Sequence, residues 1–415
     1  MATDASTALS ERVIADLTTL RGMTEDSDGA QRVAWTDTWA KARDWLLGEL
    51  EQIQGVSVKR DEAGNLWASA PGESERTVLI GGHLDSVPSG GWLDGALGTT
   101  CGLEILRALA PVRRALGLTL VDWADEEGAR FGRSLFGSSA AAGTLDVDAV
   151  RGLTDCEETT LAEALQSQGL DLDRATDAQG CLENVAAYLE LHIEQGPVLE
   201  AMDLPLAVVL GTFGVQRHAV RFHGAHAHAG ATPMNRRSDA FLAAARSALA
   251  FRDDAAARED VRATTGVVKV SPGIVTAFNG TCEISLDQRA LDPSVLGEML
   301  AAAQGASERI AAEEGCEASW ERLWEIEPIP FDPELIEIAD GVVSEIAGAS
   351  HRLPSGPLHD AAEMARLLPT VMLFVKSLGG VSHTKAEDTP IEDIKLAVRA
   401  HHELARRTLA WAEER

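Results

Sequence analysis

Residues 77–110 read TVLIGGHLDSVPSGGWLDGALGTTCGLEILRALA. A short apolar run over 77–81 stops at paired glycines, and a polar loop with His83, Asp85 and Asp94 follows. Residues 99–110 then carry apolar side chains at helical spacing. An apolar run of strand length, a Gly-punctuated loop and a helix make one unit of a sheet covered by helices. Working outward, residues 65–70, 118–123 and 188–192 are further apolar runs of the length that buried strands take, and residues 31–53 are long, charged and amphipathic, which predicts a helix. The first part of the chain is therefore read as α/β.

Near residue 212 the texture changes. Residues 215–222 alternate as a half-exposed strand does. Ser238 is placed to cap a helix with Phe241, Leu242, Ala245 and Leu249 on one face. Strand-like runs at 266–270, 274–276 and 281–289 follow, then a helix over 293–314 with Leu296, Leu300 and Ile310 on its apolar side, then a strand at 319–326. The order strand–helix–strand–strand–helix–strand predicts a small α+β sandwich with one open face. After Pro328 the α/β texture returns, with helices at 333–347 and 359–368, a strand at 370–375 and a final helix from Ile391. The chain is thus expected to hold one discontinuous α/β domain (1–211 and 329–415) interrupted by an inserted α+β domain (212–328), with hinges near 211 and 328.

Composition narrows the function. The chain has 415 residues, 45% apolar and 24% charged, with a net charge of −29. A protein that binds nucleic acid neutralises phosphates with clustered Lys and Arg, and no basic patch opposes this negative bulk. No apolar run approaches the roughly 20 residues that span a bilayer, and the opening MATDASTALSERV lacks the basic and apolar regions of a secretory leader. The expectation is a cytoplasmic protein with neither nucleic-acid nor membrane partner. Five cysteines without a C-x-x-C pair point neither to a disulfide framework nor to a thiolate metal site. Any metal must then be held by His, Asp and Glu.

Five segments gather those residues: GGHLDSVPSGGWLDG (His83, Asp85, Asp94), DWADEEG (Asp125, Glu126, Glu127), ELHIEQG (His192, Glu194, Gln195), GAHAHAG (His226, His228) and VSHTKAED (His383). Singly each is an ordinary strand end or solvated turn. Four of them sit at or just beyond an apolar strand, and ligands of open α/β sheets bind beyond the carboxyl ends of the strands. Two or three histidines with two or three carboxylates suit zinc or manganese, and are enough for two ions sharing one carboxylate, a device for metal-assisted hydrolysis.

The succession HLDSVPSGGWLDG, DEEGARFGRSLFGS, ELHIEQGPVLE, GAHAHAGATPMNRRSDA, SGPLHDAAEMA and SHTKAEDT, spanning about residues 80–390, resembles the hydantoinase/carbamoylase branch of the zinc aminoacylase and carboxypeptidase-type metallohydrolases. That branch holds N-carbamoyl-L-amino-acid hydrolases, β-ureidopropionases and allantoate amidohydrolases. The resemblance implies a mixed-sheet, aminopeptidase-like catalytic domain with an inserted ferredoxin-like dimerisation or lid domain, a homodimer, and two divalent metal ions per subunit (Zn, or Mn, Co or Ni). It implies His83 and His192 on one metal, Glu127 and His383 on the other, and Asp94 bridging them. Glu126 is implied as the general base and Asp85 as the carboxylate orienting His83. His228 is implied to stabilise the oxyanion, reaching the partner subunit's site, and Arg289 to grip a substrate carboxylate. Gln195, Gln216 and Asn279 fall at polar substrate contacts. His226 has no assigned role.

Two departures concern the substrate side. The chain has PSGPLHDA at 354–361 where the family usually has SGAGHDA, so Pro357 and Leu358 add bulk. It also has AFNGTCEIS where an aliphatic residue and proline usually follow the asparagine. The leading expectation is hydrolysis of the linear C–N bond of an N-carbamoyl (ureido) L-amino acid to amino acid, CO2 and ammonia. Allantoate or an N-acyl amino acid is the alternative substrate, and an inactive binding protein of the same fold the non-enzyme alternative, disfavoured because every ligand position is filled.

Overall fold

Four parallel strands, Thr370–Val375, Val185–Ile193, Thr77–His83 and Gly117–Trp123, lie side by side in that order. Antiparallel strands extend this sheet on both flanks: Leu206–Thr212 beside Thr370–Val375, and Leu66–Ala70 then Ser57–Arg60 beyond Gly117–Trp123. The sheet is mixed, as expected. The computed structural model describes residues 2–415, with side chains from Ala8 onward. All seven residues of Gly117–Trp123 are buried, which explains why apolar side chains occupy both faces of this strand, and its one charged residue, Asp122, is met by Arg43 at 2.7 Å.

The chain steps from Thr77–His83 to its neighbour Gly117–Trp123 on one side, then crosses back to Val185–Ile193 on the other. That reversal opens a crevice beyond the carboxyl ends of the two strands, where α/β sheets bind ligands. Helices pack on the sheet: Ala96–Leu109, buried along almost its whole length, and Ile391–Glu413, which contacts three of the parallel strands. Their starts are fixed locally. Thr36 accepts from the Trp39 amide to cap Asp37–Glu51, and Asp332 caps Pro333–Ala347 with proline at its first turn.

The chain divides into two compact units, residues 1–210 with 331–415 and residues 211–330. In the second, Gly214–His223, Thr281–Ala290, Glu317–Ile326 and Arg262–Thr264 form an antiparallel sheet. Gly214–His223 is flanked by Thr281–Ala290 and Glu317–Ile326, Arg262–Thr264 lies beyond Thr281–Ala290, and Ala240–Ala256 and Pro293–Glu313 cover one face. This is the ferredoxin-like arrangement. The other face carries ion pairs in water: Asp287 takes both Arg217 and Arg289, and Glu283 takes Arg221.

Several expectations need correction. The helix expected from residue 31 starts at Asp37, because residues 31–36 form an irregular segment in which Trp35 has φ 64°. Ser238 does not cap the next helix; its carbonyl accepts from the Ala225 amide, and Asp239 caps instead. The face of that helix was also misassigned. Phe241, Leu242 and Leu249 are exposed, while Ala240, Ala243, Ala244, Ser247 and Phe251 are buried. The small residues among these let the first turns of the helix approach the sheet closely, and Phe251 fills the space farther along. The helix expected at 359–368 is shorter, Asp360–Ala365. The helix Ala2–Thr24 was not foreseen, although Leu9, Val13, Leu17 and Leu20 stand at helical spacing and the last three are buried.

His401, on the last helix, is fully buried, and among the described residues neither ring nitrogen has a hydrogen-bond partner. Burial, with a smaller push from His402, lowers its pKa to about 3. The fold therefore accepts only the neutral ring. Its contribution is complete above the unfolded value of about 6.5 and is lost as pH falls from there toward 3. His401→Leu should remove that acid sensitivity: between pH 7 and pH 4 wild type should lose about 3 kcal/mol more than the variant in urea unfolding. Equal losses would show that the ring finds a partner.

Candidate metal centre

His83 ends one parallel strand and His192 lies one residue from the end of its neighbour, so adjacent strand ends bring the two rings within 5.8 Å of each other. His83 Nδ1 faces the Asp85 carbonyl at 3.1 Å and His192 Nδ1 the Ile193 carbonyl at 2.9 Å. Each ring is thereby held by one nitrogen and turns Nε2 inward, the tautomer arrangement that metal-ligating histidines use. Asp94 stands between them. Its Oδ1 is 3.1 Å from His192 Nε2 and 3.8 Å from His83 Nε2, while its Oδ2 is 3.4 Å from His383 Nε2. Glu127 Oε2 is 3.3 Å from the same His383 nitrogen.

Two groups able to hold a cation therefore share one carboxylate: His83, Asp94 and His192, and Asp94, Glu127 and His383. The donor set fits a pair of divalent ions. It is nitrogen and carboxylate oxygen only, and two of its buried atoms, His83 Nε2 and Glu127 Oε1, have no hydrogen-bond partner among the described residues. The five residues expected as ligands are brought together.

The remaining carboxylates of the site hold backbone. Asp85 accepts from the Glu126 and Glu127 amides at 3.2 and 3.0 Å, which fixes the turn carrying both glutamates. Asp125, at φ 58°, accepts from Gly128 and from the Trp35 indole. Glu126 is buried, with Oε2 3.8 Å from His83 Nε2. Gly95, at φ 65°, follows Asp94, and a Cβ there would lie 2.3 Å from the His83 ring, so the loop can pass only as glycine.

Charge at the site follows from burial. Withdrawal from water pushes Glu126 well above the usual carboxylate range, with Asp360, Glu127 and Asp85 adding to it against the pull of His83. Burial raises Glu127 to about 7 and Asp125 to about 8. Asp94 goes the other way: burial raises it, but His192, His383 and His83 together hold it well below the usual range. Hydrogen bonding to Asp94 leads the rise of His383 to about 9.

Gln195, expected at the substrate, here donates its amide to Asp94 Oδ2 at 2.8 Å and sits 3.3 Å from His383 Nε2. Glu194 is no ligand: it accepts from the Val198 and Leu199 amides and caps a short helix. The other expected substrate residues lie in the smaller unit. Gln216 donates to Glu325, the Asn279 side chain accepts from the Gly273 amide, and Arg289 pairs with Asp287. His228 is exposed, and its Nδ1 accepts from the Gly230 and Ala231 amides at 3.1 and 3.2 Å. A neutral ring so held carries its proton on Nε2.

Several residues were missed. Buried His359 packs on His192 at 4.4 Å and joins Glu190 and His192 in a third grouping. Glu387 accepts from the Leu93 and Asp94 amides and from Ser382, so it seats the shared carboxylate. His359 and Glu387 stood in the quoted SGPLHDAAEMA and SHTKAEDT, where a second His or Glu beside the chemistry was the available signal.

Residues 79–407 match the family described as peptidase family M20/M25/M40. The chain belongs to that family. It is 36% identical over 373 residues to an N-carbamoyl-L-amino acid amidohydrolase of Geobacillus stearothermophilus, covering 89% of this chain and 91% of the relative. It is 30% identical to an allantoate amidohydrolase of Bacillus subtilis, covering 90% and 91%. An amidase of the hydantoinase/carbamoylase family from Burkholderia multivorans superposes with TM-score 0.85 at 31% identity, over 96% and 97% of the two chains. Within the family the chain thus stands in the hydantoinase/carbamoylase branch, as a metal-dependent hydrolase of amide or ureide C–N bonds.

Proposed function

We propose that the protein hydrolyses the linear C–N bond of an N-carbamoyl L-amino acid, using two divalent ions held by His83, His192, Asp94, Glu127 and His383. The observation that carries this is the division of Asp94, one oxygen toward His83 and His192, the other toward His383. When bound, the ions supply Lewis-acid polarisation of the ureido carbonyl and lower the pKa of water. Glu126 is the general base: it takes a proton as the water oxygen bonds to the ureido carbon, and returns it to the amino-acid nitrogen as that C–N bond breaks. The carbamate released falls to CO2 and ammonia, so one water is consumed for each amino acid freed. The curated relative of higher identity among the two described favours a carbamoyl amino acid over allantoate.

On this reading the smaller unit supplies the substrate contacts. His228 offers an Nε2–H donor to the oxyanion, a type of contact worth about 2.7–4 kcal/mol. Arg289 offers its guanidinium fork to the substrate carboxylate, Gln216 and Asn279 offer polar groups from the same unit, and Gln195 offers one from the larger unit. Five unpaired cysteines support a reducing, cytoplasmic setting. A homodimer is supported by the exposed Phe241 and Leu249 beside Val268–Ser271, a strand of wholly exposed residues paired on one side only, around a groove of about 540 Å³. A second copy covering that edge accounts for all three features.

Ammonia release and substrate loss, followed in parallel on metal-loaded protein with N-carbamoyl, N-formyl and N-acyl L-amino acids and allantoate, test the substrate. Ammonia from a carbamoyl amino acid is expected, and Glu126→Gln should lower kcat by about 10²–10⁴-fold. Loss of an N-acyl compound without ammonia overturns the ureido assignment, and undiminished turnover in the variant overturns the base. Sedimentation should give a dimer that Val268→Lys with Leu249→Glu converts to monomer; a wild-type monomer contradicts the interface.

A further inference from the structure

Arg32 is completely buried, yet among the described residues its guanidinium makes no direct ion pair. Nε donates to the Leu84 carbonyl at 2.8 Å, Nη1 to Thr24 Oγ1 at 3.4 Å, and Nη2 has no hydrogen-bond partner. Its backbone is stitched to the loop after His83: Arg32 N donates to Ser86 Oγ and Ser86 N to Arg32 O. The surrounding segment touches the other ligand-bearing loops too. Ala30 and Gly90 exchange backbone hydrogen bonds, Lys385 reaches the Ser27 carbonyl, and Trp35 holds Asp125.

A buried cation without a paired carboxylate needs a surrounding field of negative charge. That field is present. Burial works to lower the guanidinium pKa, and the carboxylates opposing it are, in order, Glu387, Asp94, Asp85 and Glu25. Three of these are the shared carboxylate of the metal cluster, the carboxylate that seats it and the one that fixes the Glu126–Glu127 turn. An arginine stays protonated in such a place, so its charge is permanent.

We propose that Arg32 is a built-in counter-charge of the metal cluster, a positioning residue that keeps Asp85, Asp94 and Glu387 together in the metal-free protein. The inference rests on reading the Asp94 cluster as a site for divalent ions. Coulomb's law gives the role two opposite signs. The same charge that relieves carboxylate repulsion in the empty cluster repels an incoming dication, so Arg32 stabilises the ion-free state and loosens the hold on metal. A buried arginine that acted only as a brace would support both states alike.

Arg32→Met removes the charge at similar length, and Arg32→Lys keeps the charge but loses the fork. Melting temperatures of chelator-stripped and Zn2+-loaded protein, with the Zn2+ dissociation constant from competition with a chromophoric chelator, separate the two roles. Arg32→Met should melt well below wild type when stripped and closer to it when loaded, and should bind Zn2+ about tenfold tighter. Arg32→Lys should keep the wild-type gap between the two states. Equal falls in both states, or unchanged or weaker Zn2+ binding by Arg32→Met, overturn the proposal. If Arg32→Met yields no folded protein, Arg32→Lys decides: a folded protein with the wild-type gap supports the charge, and loss of folding overturns it. Wild type that takes up no Zn2+ refutes the metal-site reading, whereas the stripped melting temperatures still compare charge with brace.

Discussion

An ionised carboxylate withdrawn from water is tolerable only where cations or hydrogen-bond donors meet it. At one rim of the larger sheet Asp85, Asp94, Asp125, Glu126, Glu190 and Glu387 are all buried, and the surrounding structure can be understood as the means of accommodating them. Backbone amides take the oxygens of Asp85, Asp125 and Glu387. Histidines face Asp94 from two strand ends and one loop. Arg32 contributes a fixed charge from behind. Among the described residues, His83 Nε2 and Glu127 Oε1 are buried atoms without hydrogen-bond partners in the two groups that share Asp94, and Glu190 Oε1 and His359 Nε2 are such atoms in the third.

Topology puts these pieces in one place. The reversal of strand order sets His83 and His192 on adjacent strand ends, and the strand Thr370–Val375 leads toward Ser382 and His383. Local backbone then aims the side chains. Asp125, Gln195 and His383 all have φ near +58°, which L-residues adopt only where surrounding contacts hold them. Asp125 and Gln195 each lie just past a strand end, while His383 follows Thr370–Val375 only after the helical turn Leu378–Gly380.

Most of the sheet and the segments holding the candidate ligands were legible because they obey short-range rules, and the resemblance then implied a role for each residue. Buried strands are largely apolar runs, and a His-x-Asp or Asp-Glu-Glu segment closing such a run is visible without coordinates. What escaped depends on three dimensions. The buried side of Ala240–Ala256 carries small residues in its first turns and Phe251 farther along, and Phe241 and Leu249, which a hydropathy reading selects, face outward. Arg32, 51 positions before His83 in sequence, sits in a stretch with no local mark of function; only the fold places it against Leu84 and Ser86. The sharing of Asp94 between two groups, by contrast, was already implied by the family resemblance.

The sharing of Asp94 is the claim on which the account turns, and metal stoichiometry tests it most directly. Protein stripped with chelator, titrated with Zn2+ or Mn2+ and analysed for bound metal should take up two ions per chain, and Asp94→Ala should lose high-affinity binding at both positions. Retention of two tightly bound ions by Asp94→Ala, or uptake of a single ion by wild type, would contradict a shared carboxylate.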